Sequence, residues 1–123
     1  MLITAFDHIQ SDLDDLRSML NRALPNGEFY EFTDFSPCVD YSIENKPDIV
    51  FFENIEGNGW YLLADTINKL KEIDPNMKFI ILHWSNISKG ELIWAINSKG
   101  ISFLKKPIIY DELVEILHEM LSN

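Results

Sequence analysis

Several features that define other classes of protein are scarce in this chain of 123 residues. It has one cysteine, Cys38, which excludes an internal disulfide and a multi-cysteine metal site and suits a reducing cytoplasm. Ten basic residues face twenty acidic ones, and the resulting net charge of −10 disfavours contact with phosphate backbones and anionic membranes. We therefore expect a cytoplasmic protein that binds neither nucleic acid nor membrane, with Cys38 as a small apolar side chain on a helix.

Long apolar runs and targeting segments are also missing. No apolar run is long enough to cross a bilayer, and the first residues lack the basic region of a secretory signal and soon become acidic. What the chain does have is a hydrophobic fraction of 46% and an aromatic fraction of 12%, which indicate a packed core. At this length the sequence predicts a single domain over residues 1–123.

Strand-like and helical segments alternate along the chain. Short apolar or aromatic runs predict five strands, at residues 2–6, 28–35, 49–52, 79–82 and 101–104. Helical periodicity predicts five helices, at residues 11–24, 36–45, 60–73, 88–100 and 110–121. We expect Ser11, Ser36 and Ser88 at the N-terminal ends of their helices, and a loop at residues 56–59.

This alternation predicts the α/β class, as a three-layer, doubly wound, five-stranded parallel sheet of the flavodoxin-like kind. Among such folds we choose the strand order 2-1-3-4-5. The functional crevice of a doubly wound sheet lies at the carboxyl ends of its strands. The residues that this order brings together are Asp7, His8, Glu53, Asn54, His83, Trp84, Lys105, Lys106 and Pro107.

Two motifs at these strand ends resemble the receiver domains of two-component response regulators, the CheY-like family. The run ISFLKKPI at residues 101–108 is similar to the aromatic-Leu-x-Lys-Pro-Ile ending of receivers, and Asp111-Glu112-Leu113 follows at the usual distance. The run KPDIVFFE at residues 46–53 is similar to the family's Lys-Pro-Asp-apolar run, which ends in the acceptor aspartate. The resemblance covers nearly the whole chain and implies a regulatory phosphorelay module rather than an enzyme.

The resemblance also implies roles for individual residues. In receivers an aspartate ending the third strand accepts a phosphoryl group from a histidine kinase, and two acids ending the first strand help to bind Mg²⁺. A Ser or Thr ending the fourth strand contacts the phosphoryl group, and a Lys ending the fifth strand pairs with it. These roles place Glu53 at the acceptor position, Asp7 and Glu53 as metal ligands, Lys106-Pro107 in the pocket and Phe103 at the switch aromatic.

The pocket departs from the family pattern at three positions. Phe6 stands where the first acid is expected, and Glu53 stands where the acceptor aspartate is expected. His83 stands at the Ser or Thr position, or Ser85 does if the alignment shifts by two. Trp84 follows where a small residue normally leaves the pocket open, and we expect it to lie over the pocket as a packing residue or a lid.

These departures all disfavour normal phosphorylation. A missing carboxylate weakens Mg²⁺ binding, so we expect no required cofactor and weak or absent metal. Glu53 moves the potential nucleophile by roughly an ångström, which spoils in-line transfer. Its longer side chain can instead pair with Lys106 and imitate a phosphorylated aspartate. The sequence therefore predicts a pseudo-receiver that acts through protein contacts.

Two other functions remain open on the same residues. One is a divergent response regulator that does accept phosphate. The other is a metal- or small-ligand-binding sensor that uses Asp7, His8, Glu53 and His83. An enzyme of another doubly wound family is not expected, because GxGxxG, P-loop, nucleophile-elbow and HExxH motifs are all missing.

The predicted fourth helix carries the candidate interface. Its helical phase places Trp94 away from Leu92, Ile93 and Ile96, and an exposed tryptophan is an effective interface anchor. The alternative is that Trp94 folds back onto the neighbouring element. In receivers the surface of the fourth helix, fifth strand and fifth helix often mediates dimerisation or output. We therefore expect a protein partner or a homodimer there, and we expect His118 on the last helix to be exposed.

Overall fold

Five parallel strands form the centre of the structure, a computed structural model that describes residues 1–54 and 60–122. The strands are β1 Leu2–Phe6, β2 Glu28–Phe32, β3 Ile49–Glu53, β4 Lys78–His83 and β5 Ile101–Lys105. Their order across the sheet is β2-β1-β3-β4-β5, and every neighbouring pair is parallel. The predicted doubly wound fold and strand order are confirmed. The predicted loop at residues 56–59 lies outside the described residues.

Five helices connect and cover these strands: α1 Gln10–Ala23, α2 Phe35–Asn45, α3 Tyr61–Ile73, α4 Lys89–Ser98 and α5 Tyr110–Leu121. Within the described residues none of them is long and apolar enough to cross a membrane. The cap at Ser88 is confirmed, because its side chain accepts a hydrogen bond from the Glu91 N–H. The caps at Ser11 and Ser36 are wrong, since both helices begin earlier, after Ile9 and Asp34.

The helices cover the sheet on both faces. Residues of α1 and α5 pack on one face in a first core cluster with Ile49 and Phe51. Residues of α2 and α3 pack on the other face in a second cluster with Val50 and Phe52. All four of these β3 side chains are fully buried, so β3 is the central strand and its end is held rigidly in place.

Cys38 and His118 lie where the sequence predicts. Cys38 is buried on α2, and burial raises the pKa of its thiol to about 12, so it stays uncharged at neutral pH. His118 is exposed on α5. Cys38 is therefore a core residue and His118 a surface residue.

Helix α4 keeps the predicted phase, with Trp94 on the side away from Leu92, Ile93 and Ile96, but the buried and exposed sides are reversed. Leu92, Ile93 and Ile96 point outward, and Ile96 is 76% exposed. Trp94 is half-buried and packs against the second core cluster, with its indole N–H donating to the Asn68 side-chain oxygen at 3.3 Å. An indole buries more apolar area than a leucine or isoleucine does, which favours turning this residue inward. Of the two alternatives for Trp94, the structure therefore agrees with the one in which it folds back onto the neighbouring element, and not with an exposed anchor.

Candidate functional site

Three charged side chains meet at the carboxyl edge of the sheet. Asp7 directly follows β1, Glu53 ends β3 and Lys106 directly follows β5. They are only 1%, 3% and 3% exposed, respectively. The backbone N–H of Asp7 donates to the Phe32 carbonyl, and that of Lys106 to the His83 carbonyl, so strand-type pairing fixes both residues. The structure therefore brings together three of the predicted pocket residues.

The Lys106 ammonium group lies between three carboxylates. Its Nζ is 2.6 Å from Asp7 Oδ2, 2.7 Å from Asp12 Oδ2 and 3.0 Å from Glu53 Oε2. Charged groups this deeply buried are tolerated only when they are paired, and here one cation serves three anions. The predicted Glu53–Lys106 pair is present in this arrangement.

Asp12 is the site residue that sequence reasoning missed. Asp12 lies in the first turn of α1, where an acidic side chain is ordinarily explained by its favourable interaction with the helix dipole. Helix α1 begins directly after β1, so its first turn stands over the same strand ends. The available signal was a carboxylate in the first turn of the helix that follows β1 and Asp7.

The two buried carboxylates of the cluster differ in how well they are compensated. Burial raises the pKa of Asp7 above its ordinary value, although Lys106 and the Ile9 N–H both bond to it. Burial also acts to raise the pKa of Glu53, but hydrogen bonds from His8 and Lys106 outweigh it and lower that pKa. For Lys106, bonds to the carboxylates outweigh burial and raise its pKa.

His8 closes the solvent side of the cluster. Its backbone N–H donates to Glu53 Oε1 at 3.2 Å, and its imidazole Nδ1 bonds to the same oxygen. Nδ1 also lies 4.0 Å from Asp7 Oδ1. The side chain is 62% exposed, so it forms the boundary between the buried charges and water.

His83 does not join this cluster. Its Nδ1–H donates to the Ser85 carbonyl at 2.7 Å, and its ring packs edge-on against Phe103. Among the described residues, the group whose ligand atoms lie close enough to share a metal consists of Asp7, His8 and Glu53. The predicted four-residue metal set is therefore wrong at His83, because the Ser85 carbonyl holds its imidazole elsewhere.

The remaining pocket residues surround Lys106. The ring of Trp84 lies 4.8 Å from the Lys106 Nζ and is 46% exposed, which is the predicted lid position. Pro107 is exposed next to Lys106. Phe103, at the predicted switch position, is half-buried and packs inward against the second core cluster.

A further buried carboxyl group, that of Glu91, lies beside the site and was also missed by sequence reasoning. Glu91, in the first turn of α4, accepts a hydrogen bond at 2.9 Å from the side-chain amide of Asn54, the residue after Glu53. Burial raises the pKa of Glu91 above its ordinary value. This contact joins the end of β3 to α4.

The donor set does not fit the Mg²⁺ ion that the receiver resemblance implies. Mg²⁺ takes an octahedron of oxygen ligands and usually keeps several waters. Here Phe6, at the position of the missing acid, is buried against the ring of Phe35. The inner oxygens of Asp7 and Glu53 are bound to Lys106, and an imidazole nitrogen faces the outer oxygens.

Comparison with known proteins supports the fold through structure alone. No protein-family model and no curated protein sequence matches the chain. A signal receiver domain of a DNA-binding response regulator from Colwellia psychrerythraea 34H aligns over 100% of this chain and 99% of its own, with a TM-score of 0.78 and 13% identity. A two-component response regulator from Clostridium difficile aligns over 100% and 97%, with a TM-score of 0.78 and 20% identity.

A third structural neighbour is a pilus assembly protein. The CpaE2 pilus assembly protein of Sinorhizobium meliloti 1021 aligns over 98% of this chain and 100% of its own, with a TM-score of 0.76 and 17% identity. All three alignments span both chains almost completely. The chain therefore has the CheY-like fold of response-regulator receiver domains.

Proposed function

We propose that this protein is a cytoplasmic, receiver-like signalling module that is regulatory rather than catalytic. In this proposal it acts through protein contacts, and Glu53 does not serve as a normal phosphoryl acceptor. The observation that carries the proposal is the buried ion cluster, in which the Lys106 ammonium group already contacts Asp7, Asp12 and Glu53. The receiver fold supports the signalling role.

The contacts of Glu53 favour a fixed charge over a nucleophile. Its Oε2 lies 3.0 Å from the Lys106 Nζ, and its Oε1 accepts bonds from the backbone and side chain of His8. A carboxylate that attacks phosphorus in line needs one oxygen free and aligned with the donor. Both oxygens are engaged here, so attack would require breaking charge-assisted hydrogen bonds.

The position of Lys106 supports the same conclusion. In a receiver this lysine pairs with the phosphoryl group, whereas here Glu53 presents a negative oxygen to it without modification. Trp84 covers one side of the same ammonium group. The proposed module is therefore held in one charge state by its own side chains.

We place the protein contact on α4. Leu92, Ile93 and Ile96 form an exposed apolar face there, next to the Asn54–Glu91 bond that reaches the site. Two copies that each carry a charge of −10 repel one another, so we favour a different protein with an apolar contact surface bordered by basic residues. A homodimer is the other outcome that light scattering distinguishes.

A single substitution tests this contact. Ile96→Glu should leave the fold stable within about 0.5 kcal/mol, because the residue is 76% exposed. The substitution should weaken the affinity for a partner protein, first identified by cross-linking, by about tenfold or more if Ile96 is a central contact. Ile43→Glu on α2 is the control, at an exposed apolar position outside α4, β5 and α5. Equal partner binding by both variants, or a dimer of the unmodified chain, would contradict the proposed contact.

Phosphorylation is tested directly by incubating the chain with acetyl phosphate and Mg²⁺ and measuring its intact mass. We expect no stable adduct, and we expect beryllofluoride with Mg²⁺ to cause no saturable NMR shifts around Glu53. The control variant is Glu53→Gln, which removes the nucleophile. A phosphoryl adduct that forms on the unmodified chain and is missing from Glu53→Gln would establish the divergent phosphoacceptor instead.

A further inference from the structure

We propose that Asp7, His8 and Glu53 bind a divalent transition-metal cation of the Zn²⁺ type. This inference goes beyond the signalling role and does not depend on it. It starts from the mismatch between the donor set and Mg²⁺, because the residue that spoils an all-oxygen site is an imidazole. Imidazole nitrogen suits Zn²⁺, Cu²⁺ and Ni²⁺, whereas Mg²⁺ prefers oxygen alone.

The ligand atoms are close enough to share one ion. One atom from each of Asp7, His8 and Glu53 lies within 4.8 Å of the other two. Around a tetrahedral Zn²⁺ with bonds of about 2.0–2.2 Å, ligand atoms are separated by about 3.4 Å. The His8 side chain is 62% exposed, so its imidazole is free to move towards an ion. Three protein ligands leave the fourth position for water or an exchangeable ligand.

The cation and Lys106 use different oxygens. Lys106 binds Asp7 Oδ2 and Glu53 Oε2, on the inner side of the cluster. The other oxygen of each carboxylate faces His8, since Nδ1 bonds to Glu53 Oε1 and lies 4.0 Å from Asp7 Oδ1. A metal on the solvent side therefore does not need to displace the buried ammonium group.

Backbone groups already orient the outer oxygens. The Ile9 N–H donates to Asp7 Oδ1 at 3.0 Å, and the His8 N–H donates to Glu53 Oε1 at 3.2 Å. Hydrogen bonds of this kind fix the direction of a ligating carboxylate and reduce the cost of organising it around a metal. The two oxygens are thus held in position before any ion arrives.

The charge of the cluster suits a divalent ion. Three carboxylates and one ammonium group give a formal net charge of −2 when all four are ionised and His8 is neutral. The nearby Lys106 ammonium repels a second cation, which should make binding weaker than at a dedicated three-ligand site.

Calorimetric titration of the chelator-treated full chain tests the proposal. We expect Zn²⁺ to bind with one equivalent, and millimolar Mg²⁺ not to compete. His8→Ala should weaken Zn²⁺ binding by about tenfold or more, as the loss of a ligand requires. His83→Ala and His118→Ala are matched controls that remove the other two imidazoles, and both should bind Zn²⁺ as the unmodified chain does. Thermal melting checks that each variant folds.

A second variant tests the metal preference. His8→Asp replaces the imidazole with a carboxylate oxygen, so the Zn²⁺ over Mg²⁺ preference should fall by about tenfold or more. Saturable Zn²⁺ binding that is lost only in His8→Ala supports the proposal. Undetectable Zn²⁺ binding, or equal losses in His8→Ala and His118→Ala, overturns it. These titrations contain no phosphodonor, so their failure leaves the signalling proposal untouched.

Discussion

Glu53 and Glu91 are two glutamates that are equally exposed but have pKa values shifted in opposite directions. Each is 3% exposed, and Asn54 connects them, since it follows Glu53 in the chain and donates to Glu91. Yet the pKa of Glu53 is lowered and that of Glu91 is raised relative to the same ordinary value. Burial penalises both charges, so the difference must come from their partners.

The partners explain the difference directly. Glu53 bonds to the Lys106 ammonium group and twice to His8, and these donors compensate the loss of water. Among the residues that the structure describes, the Glu91 side chain receives one bond, from the neutral Asn54 amide. A neutral amide stabilises a carboxylate much less than an ammonium group does. The same side chain is therefore a stable anion at one position and an unfavourable one at the other.

Removing the cation should have the largest effect. Lys106→Met leaves the carboxylates of Asp7, Asp12 and Glu53 without their shared partner, and breaking a buried pair in this way costs about 3–5 kcal/mol. Urea unfolding at pH 7 measures this loss in the free energy of unfolding. The control is Lys105→Met, because Lys105 is exposed and adjacent. The difference between the two variants should narrow on acidification, as the unpaired carboxylates take up protons.

This prediction has a clear contradictory outcome. If Lys106→Met were no less stable than Lys105→Met, the ion cluster would contribute little, and Glu53 would not differ from Glu91 through its partners. The proposed imitation of a phosphorylated residue would then lose its energetic basis.

Neutralising Glu53 should have the next largest effect on the stability of the fold. Glu53→Gln keeps the side-chain length but replaces charge-assisted bonds to Lys106 and His8 with weaker ones, which should destabilise the fold by about 2 kcal/mol at pH 7. Urea unfolding of the unmodified chain and the variant, from pH 7 to pH 3, gives the difference.

The pH dependence has a defined sign. The folded pKa of Glu53 lies below its ordinary value of 4.5, so its contribution is complete above 4.5 and is lost as the pH falls through the folded pKa. The stability difference between the unmodified chain and Glu53→Gln should shrink over that acidic range. A difference that stays constant down to pH 3 would mean that the charge of Glu53 is not what stabilises the fold.

The fold and part of the site could be predicted because they depend on local patterns. Short apolar runs alternating with helical periods are sufficient to define a parallel sheet covered on both faces. The carboxyl ends of its strands then meet whatever the details of packing, which is why Asp7, Glu53 and Lys106 were placed together correctly. The order of the strands alone is sufficient to predict which residues share this edge of the sheet, without knowledge of side-chain geometry.

The remaining errors come from side chains with two competing options. Trp94 turns inward because both faces of α4 are apolar, and periodicity alone cannot choose between them. His83 bonds to the nearby Ser85 carbonyl rather than to the cluster. Asp12 and Glu91 each lie in the first turn of a helix, where an acid is ordinarily a surface residue near the dipole. Their contacts with Lys106 and Asn54 are tertiary, and no local pattern reveals them.

The smallest predicted effect is also the one that separates the two glutamates most sharply. Glu91→Gln keeps an oxygen for the Asn54 amide but removes a buried charge, so it should stabilise the fold by about 1 kcal/mol at pH 7, opposite in sign to Glu53→Gln. Because the folded pKa of Glu91 lies above 4.5, the gain should disappear as the pH falls towards 4.5 and the unmodified side chain becomes neutral. Urea unfolding at pH 7 and pH 4.5 measures both values. A destabilised Glu91→Gln would mean that the positive end of the α4 dipole outweighs burial, and that Glu91, like Glu53, is held as a compensated anion.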